Sequence, residues 1–94
     1  MSVTVESITA RVERMRACLQ RALEPSELEI LDDSAAHVGH PAAVSGAGHY
    51  RLRIRSSKFA GLSRIARHRL VYDALAPMLG TDIHALSIDA DLPA

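Results

Sequence analysis

The segment from residue 59 to residue 75, FAGLSRIARHRLVYDAL, constrains the fold of this chain more than any other. A glycine-containing turn leads to Ser63, a residue type that often caps a helix N-terminus. The following residues predict a helix, because apolar side chains recur at i, i+3, i+4 and i+7. These side chains are Val71, Ala74, Leu75 and Met78. The stripe that they form must be buried, so the rest of the chain has to cover it.

Length and composition predict a single small globular domain over residues 1–94. With 94 residues and 48% hydrophobic content, the chain cannot divide into two cores, since a chain this short buries only about two-thirds of its unfolded surface. Cys18 is the only cysteine, which excludes an internal disulfide and a C-x-x-C pair and favours a reducing compartment. No apolar run approaches the ~20 residues of a membrane span, and the first residues lack a signal-peptide core. We therefore expect a cytoplasmic protein without a membrane segment.

The first half of the chain predicts one helix and two strands. Residues 4–24 form an amphipathic helix in this prediction, because apolar residues repeat at intervals of three or four. The repeat consists of Ile8, Val12, Met15, Leu19 and Leu23. Residues 27–31 and 50–55 alternate apolar and charged side chains, which indicates two strands with one buried face each, paired antiparallel. A long loop of about residues 32–48, rich in Ala, Gly and Ser, joins them and is of a length typical of functional or disordered loops.

The second half predicts a helix and a third strand. Pro77 removes a helical hydrogen bond, so we expect the last helical turn to be distorted before Gly80 ends it. Residues 82–88 form the third strand, and alternation places His84 on the face of Leu86 and Ile88, next to the core. The fold class is thus α+β, in the order helix, strand, strand, helix, strand, with both helices on one face of a three-stranded sheet. If the third strand lies parallel to the second, the sheet is mixed and the second helix is a right-handed crossover.

The charge distribution is uneven, although the net charge is zero. Residues 24–33 carry five acids and no base, whereas residues 49–69, the basic segment, carry seven bases and no acid. A sheet bearing this segment could bind a phosphate backbone. Its bases are Arg51, Arg53, Arg55, Lys58, Arg64, Arg67 and Arg69. The chain has only three aromatic residues and no KH-type G-x-x-G loop for reading bases, and an ordinary solvated sheet face explains the arginines at least as well.

Five histidines are the chemical anomaly of the sequence. His37 and His40 lie in the long loop and could hold a metal ion, although two ligands without a third more often are solvated side chains. His49 borders the second strand, where we expect it to be solvated or bound to backbone. His68 lies at the edge of the buried stripe, and His84 alone indicates little. No phosphate loop, nucleophile elbow or paired Cys and His is present, so we predict a binding module and not an enzyme.

The pattern F-x-G-x-S-x-x-x-R-H-R-x-V-Y, together with the later segment I-H-A-L, resembles the BolA family. The first pattern consists of Phe59, Gly61, Ser63, Arg67, His68, Arg69, Val71 and Tyr72, and the second of Ile83, His84, Ala85 and Leu86. The resemblance covers roughly residues 8–92, and a match of this density is far more specific than an ordinary short motif. It implies a class II KH-like fold with the order of elements predicted above.

The resemblance also implies a function. BolA-like proteins pair with monothiol, CGFS-type glutaredoxins, and the two chains share a [2Fe–2S] cluster in iron–sulfur trafficking or iron regulation. A glutaredoxin cysteine and glutathione supply two ligands, and the histidine of the I-H-A-L segment, here His84, supplies a third. The fourth matches His37, because of the spacing from Asp33, with His40 as the fallback. BolA-like proteins have also been discussed as DNA-binding transcriptional regulators, which leaves nucleic-acid binding by the basic segment as the alternative function.

Overall fold

The computed structural model describes residues 8–33 and 48–94, and side chains from residue 10 onward. Two α-helices and three strands follow one another in the predicted order. They are α1 (Ile8–Leu23), β1 (Glu27–Asp32), β2 (Gly48–Arg55), α2 (Arg64–Ala74) and β3 (Ile83–Asp91). Of the predicted first helix, residues 4–7 lie outside the described part, as do residues 34–47 of the predicted long loop. The third strand continues three residues beyond its predicted end at Ile88.

The sheet has the order β1-β2-β3 and is mixed. β1 pairs antiparallel with β2, with Glu27 opposite Arg55 and Asp32 opposite Tyr50. β3 pairs parallel with β2, so α2 serves as the connection that a parallel pair requires. Both pairings confirm the sequence prediction, and the fold is α+β as expected.

One hydrophobic core lies between the helices and one face of the sheet. The strand β2 shows which face of the sheet lines the core, because Leu52 and Ile54 are buried while Arg51 and Arg53 are exposed. Together with Leu52 and Ile54, the core holds side chains from both helices and from the turn before α2. These include Met15, Leu19, Leu23, Phe59, Val71 and Leu75. The predicted joint burial of Leu52, Ile54, Val71 and Leu75 is therefore confirmed.

The ends of α2 follow the local sequence signals. The Ser63 hydroxyl oxygen accepts a hydrogen bond from the backbone N–H of Ala66 at 3.1 Å, which satisfies one unpaired donor of the first turn. The α-helix ends at Ala74, and a 3₁₀ turn over Ala76–Met78 contains Pro77, as expected from its missing N–H. Gly80 then adopts a φ of 84°, a left-handed conformation that favours glycine. The distorted last turn was predicted correctly.

Candidate functional site

His84 lies at an irregularity where β2 and β3 meet. Gly48 is opposite Ile83, but the next residue of β2, His49, is opposite Ala85, so His84 has no cross-strand partner in the register. This is a β-bulge, in which one strand carries an extra residue. The His84 side chain is exposed to solvent. The bulge therefore exposes the His84 imidazole at the start of β3. Regular pairing would have given this side chain a different orientation.

The predicted orientation of His84 is wrong. Strict alternation placed it beside Leu86 and Ile88, next to the core, but in the structure the buried residue at this end of β3 is Ile83. The reason is the extra residue of the bulge, which shifts the two-residue side-chain period between Ile83 and Leu86. His84 is therefore more accessible to a ligand than the sequence pattern predicted.

His49 is the neighbour of His84 across the two strands. The centroids of the two imidazole rings are 5.0 Å apart, and the ring planes are tilted by 44°. His49 is half-buried, and its Nε2 atom is inaccessible to solvent. Its carbonyl oxygen accepts a hydrogen bond of 2.7 Å from the backbone N–H of Asp33, at the end of the described part of the loop. We call His49 and His84 the histidine edge; sequence reasoning missed this pairing, because it depends on the bulge.

Ionic and backbone contacts fix the start of β3. The Asp82 carboxylate lies 3.1 Å from a guanidinium nitrogen of Arg14 and 3.7 Å from Nε of Arg11, both on α1. The backbone N–H of Gly48 donates to the Asp82 carbonyl at 3.0 Å, which ties β2 to the same point. The chain immediately before His84 is thus held by a helix and by the neighbouring strand.

Tyr50 packs close to Gly48, the residue of β2 that precedes His49. Its side chain is buried, and burial raises the pKa of its hydroxyl above the ordinary value, while the Arg11 guanidinium acts in the opposite direction. A Cβ atom added to Gly48 would lie 2.4 Å from the Tyr50 ring, which is closer than real Cβ contacts. Only glycine therefore fits at position 48 without moving the Tyr50 ring.

The other candidate histidines are placed differently. His37 and the fallback His40 lie outside the described residues. His68 is half-buried in an open groove of about 300 Å³ between α2 and β3, which Arg64 and Arg67 also line. Cys18 packs partly buried against the core from α1. Within residues 8–33 and 48–94, no group of three or more His, Cys, Asp or Glu side chains is arranged to hold a metal ion.

The basic segment is largely paired with carboxylates. Five of its seven bases lie within 4.0 Å of an acidic oxygen, with the shortest distance between Arg67 and Asp91 at 3.1 Å. The other four pairs are Arg51–Asp33, Arg53–Glu27, Arg55–Asp89 and Lys58–Glu24. Of these five bases, Arg55 has the least exposed side chain. Its guanidinium bonds both carboxylate oxygens of Asp89 at 3.3 Å. Arg64 and Arg69 are exposed and form no ion pair with the described part of the chain.

These features define a small α+β module with a mixed sheet and an exposed histidine at a β-bulge. A model of the BolA-like protein family matches residues 19–94 of the chain. This chain therefore belongs to the BolA-like protein family, which confirms the resemblance found in the sequence.

Individual relatives agree with this assignment. SufE-like protein 1, chloroplastic/mitochondrial, of Arabidopsis thaliana is 44% identical over 95 residues, a match that covers 96% of this chain and 26% of that protein. Human BolA-like protein 1 is 44% identical over 80 residues, covering 85% of this chain and 56% of that protein. The chain thus spans only a part of the length of both relatives.

Solved structures of BolA folds resemble this one as well. The BolA domain of SufE1 from Arabidopsis thaliana superposes with a TM-score of 0.80 at 42% identity, covering 93% of this chain and 96% of that one. In the part of the chain that the structure describes, no helix is long and apolar enough to cross a membrane. The cytoplasmic location stays a prediction, and the name of the SufE-like relative places that protein in the chloroplast or mitochondrion.

Proposed function

We propose that this chain is a non-catalytic partner of a monothiol, CGFS-type glutaredoxin and shares a [2Fe–2S] cluster with it in iron–sulfur trafficking or iron regulation. Family membership supports the proposal, because BolA-like proteins are the partners of such glutaredoxins. The observation that carries it is the exposure of His84 at the β-bulge. An imidazole held at a strand edge and open to solvent is available to a ligand that arrives with another protein.

The donor atoms of the chain fit a shared site. A [2Fe–2S] cluster requires four ligands and binds histidine as well as cysteine. The described residues offer His84 as an exposed nitrogen donor, whereas the lone thiol, Cys18, packs against the core. His37, or His40 in its place, would add the second donor from the loop. The remaining two ligands must come from the partner, so the proposed site lies at an interface.

The surrounding residues of the chain orient His84. The ion pairs of Asp82 with Arg11 and Arg14 fix the residue before Ile83, and the bulge then turns the imidazole outward. The ring of His49, on β2, lies beside that of His84. When bound, the cluster would supply one-electron redox chemistry, with a potential that imidazole ligands raise. The chain itself needs no acid, base or nucleophile for this role.

The experiment mixes the purified chain with a monothiol glutaredoxin, glutathione, iron and sulfide under anaerobic conditions. We expect a heterodimer whose visible absorption and circular dichroism spectra differ from those of the glutaredoxin cluster alone. A glutaredoxin spectrum that does not change on addition of the chain, with no co-elution, would contradict the proposal.

The alternative function is nucleic-acid binding through the basic segment, for which Arg64 and Arg69 are the observation in favour. Both are exposed and carry charge that no described carboxylate neutralises. Such binding would be weak and electrostatic, because the segment has few means of reading bases. Tight, sequence-selective binding that persists at high salt would make this the main function.

A further inference from the structure

We propose that the free edge of β3, together with the groove between it and α2, is a docking site for an extended acidic segment of a partner protein. The segment would add a strand to the sheet by pairing its main chain with β3. The site goes beyond the proposed function, since it needs neither a cluster nor His84. Ile88, at the centre of the site, follows His84 by four residues, which is about 13 Å along a strand.

The strand β3 forms one edge of the sheet and is nine residues long. In the part of the chain that the structure describes, the stretch from Leu86 to Ala90 pairs with β2 on one side and with no strand on the other. Proteins commonly protect such an edge with proline, with lysine or by keeping the strand very short, because its unpaired groups can bind another chain. This stretch contains neither proline nor lysine. It is therefore open to pairing with an added strand.

The backbone hydrogen bonds show which groups face the free edge. The Asp91 carbonyl accepts a bond of 3.1 Å from the backbone N–H of Ser56, so the main-chain groups of Asp91 point toward β2. Because these directions alternate along a strand, the main-chain groups of Leu86, Ile88 and Ala90 point to the free edge. Their side chains pack against the core, on the face of the sheet that α2 covers. Every second side chain of an added strand would therefore face α2.

An open groove of about 300 Å³ separates α2 from this part of β3. Arg64, Arg67 and His68 line the groove from α2, and Ile88 and Ala90 line it from β3. A guanidinium nitrogen of Arg67 donates to the Ala90 carbonyl at 3.2 Å, which shows that α2 lies within side-chain reach of the strand edge. Peptides that add to a sheet edge gain affinity from main-chain bonds and specificity from such side-chain pockets.

The charges of the groove favour an acidic segment. Two carboxylates line it, but Asp89 pairs with Arg55 at 3.3 Å and Asp91 with Arg67 at 3.1 Å. Arg64 also lines the groove, is exposed and forms no ion pair with the described part of the chain. A carboxylate on the α2-facing side of an added strand would complement this charge. A nucleic acid would supply negative charge as well, but it has no peptide groups to pair with β3.

The test is an NMR titration of the isotope-labelled chain with the synthetic peptide KETEVETEK, acetylated and amidated at its ends, in which every second side chain is acidic. We expect the amide signals of Leu86, Ile88 and Ala90 to shift in a saturable way and their hydrogen exchange to slow. The matched control is the same peptide with methylated backbone nitrogens, which keeps the charges but cannot donate to a strand. This control should not bind.

Two variants that make the same change on α2 test the charge preference. Arg64→Glu should weaken binding of the peptide by about tenfold, because a repulsion replaces an attraction at the groove. Arg69→Glu is the matched control, since Arg69 is exposed on α2 but does not line the groove, and it should have a much smaller effect. A peptide with glutamine in place of glutamate should bind wild type more weakly and should not distinguish the two variants. Circular dichroism shows whether both variants are folded.

Several results would overturn the site. They are the absence of saturable shifts at the three edge residues, equal binding of the methylated peptide, and equal effects of Arg64→Glu and Arg69→Glu. A DNA oligonucleotide that shifts the same signals and binds more tightly than the peptide would also overturn it, as would a dimer of the chain, detected by sedimentation, that protects the same amides. Because glutaredoxin, iron and sulfide are absent, failure of this titration leaves the cluster proposal standing. Failure of the cluster reconstitution likewise leaves this site untouched.

Discussion

The histidine edge and the basic segment carry the two most unusual groups of side chains in the chain. The fold pairs most of the basic side chains with carboxylates, whereas it leaves His84 exposed. In the basic segment, regular strand pairing and the helix end bring carboxylates to five of seven bases. At the histidine edge, an extra residue in β3 breaks regular pairing and leaves His84 exposed. A dense run of charge can therefore be compensated within the chain, whereas one backbone irregularity can expose a single residue to a ligand.

The largest effect is expected at Gly48, the residue of β2 that precedes His49 and the histidine edge. Gly48→Ala should lower the free energy of unfolding by about 2 kcal/mol, because the new methyl group overlaps the buried Tyr50 ring. Chemical denaturation measures this change. In a Tyr50→Leu background the same substitution should cost much less, since the overlapping ring atoms are gone. A loss of less than about 0.5 kcal/mol in the wild-type background would show that the Tyr50 ring moves aside at little cost.

The second effect separates two arginines of the basic segment. The Arg55 side chain is 13% exposed and bonds Asp89 through two nitrogens, whereas that of Arg51 is 66% exposed. Arg55→Ala should therefore lower the free energy of unfolding by about 1–2 kcal/mol, and Arg51→Ala by less than about 0.5 kcal/mol. Urea denaturation of both variants checks the difference. Equal losses would mean that enclosure of the Arg55–Asp89 pair does not contribute to stability.

The third prediction concerns nucleic-acid affinity. Arg64→Ala and Arg69→Ala should each reduce binding to all sequences alike and reduce the salt slope by about one, because these bases have no carboxylate partner in the described part of the chain. Arg51→Ala and Arg53→Ala should have smaller effects, since both are paired. Fluorescence anisotropy with labelled DNA at several salt concentrations measures all four variants. A stronger effect of the paired arginines would reverse this order.

The smallest effect is a pH dependence at the end of β3. The backbone N–H of Leu92 holds the pKa of Asp91 below its usual value, and the charges of Arg67 and Arg55 act in the same direction. A lowered folded-state pKa stabilises the fold above the unfolded value, and this contribution is lost as pH falls through the folded pKa. Wild type and Asp91→Asn should therefore differ slightly in unfolding midpoint at about pH 6, and the difference should shrink as pH falls below the ordinary Asp pKa of about 3.9. A constant difference across that range would contradict the assignment.

Most of the fold could be predicted from the sequence, because its signals are local and agree with one another. The alternation in β2, the Ser63 cap and the break at Pro77 each specify a short-range structure, and all three are confirmed. The sequence pattern left the parallel pairing of β3 conditional, and the resemblance to the BolA family implied it. The arrangement of the basic segment needed more than local patterns, because its carboxylate partners come from three other parts of the chain.

The histidine edge could be predicted only in part. The family motif identified His84 as a site residue, but periodicity gave it the wrong face, since a bulge adds one residue that no local pattern reveals. The contact with His49 depends on the parallel register of β2 and β3, in which Gly48 is opposite Ile83, 35 positions later in the chain. Sequence patterns do not define that register. The assignment of His37 as the second ligand stays a prediction.

The visible circular dichroism spectrum of the His84→Ala variant, reconstituted with glutaredoxin, glutathione, iron and sulfide, tests the central claim most directly. Wild type and the control His68→Ala should give the same mixed His/Cys spectrum, and His84→Ala should lose it while remaining folded and bound to the partner. His37→Ala should leave a less stable cluster, because His40 or water can partly replace the loop ligand. An unchanged heterodimer spectrum in His84→Ala would contradict the role assigned to the histidine edge.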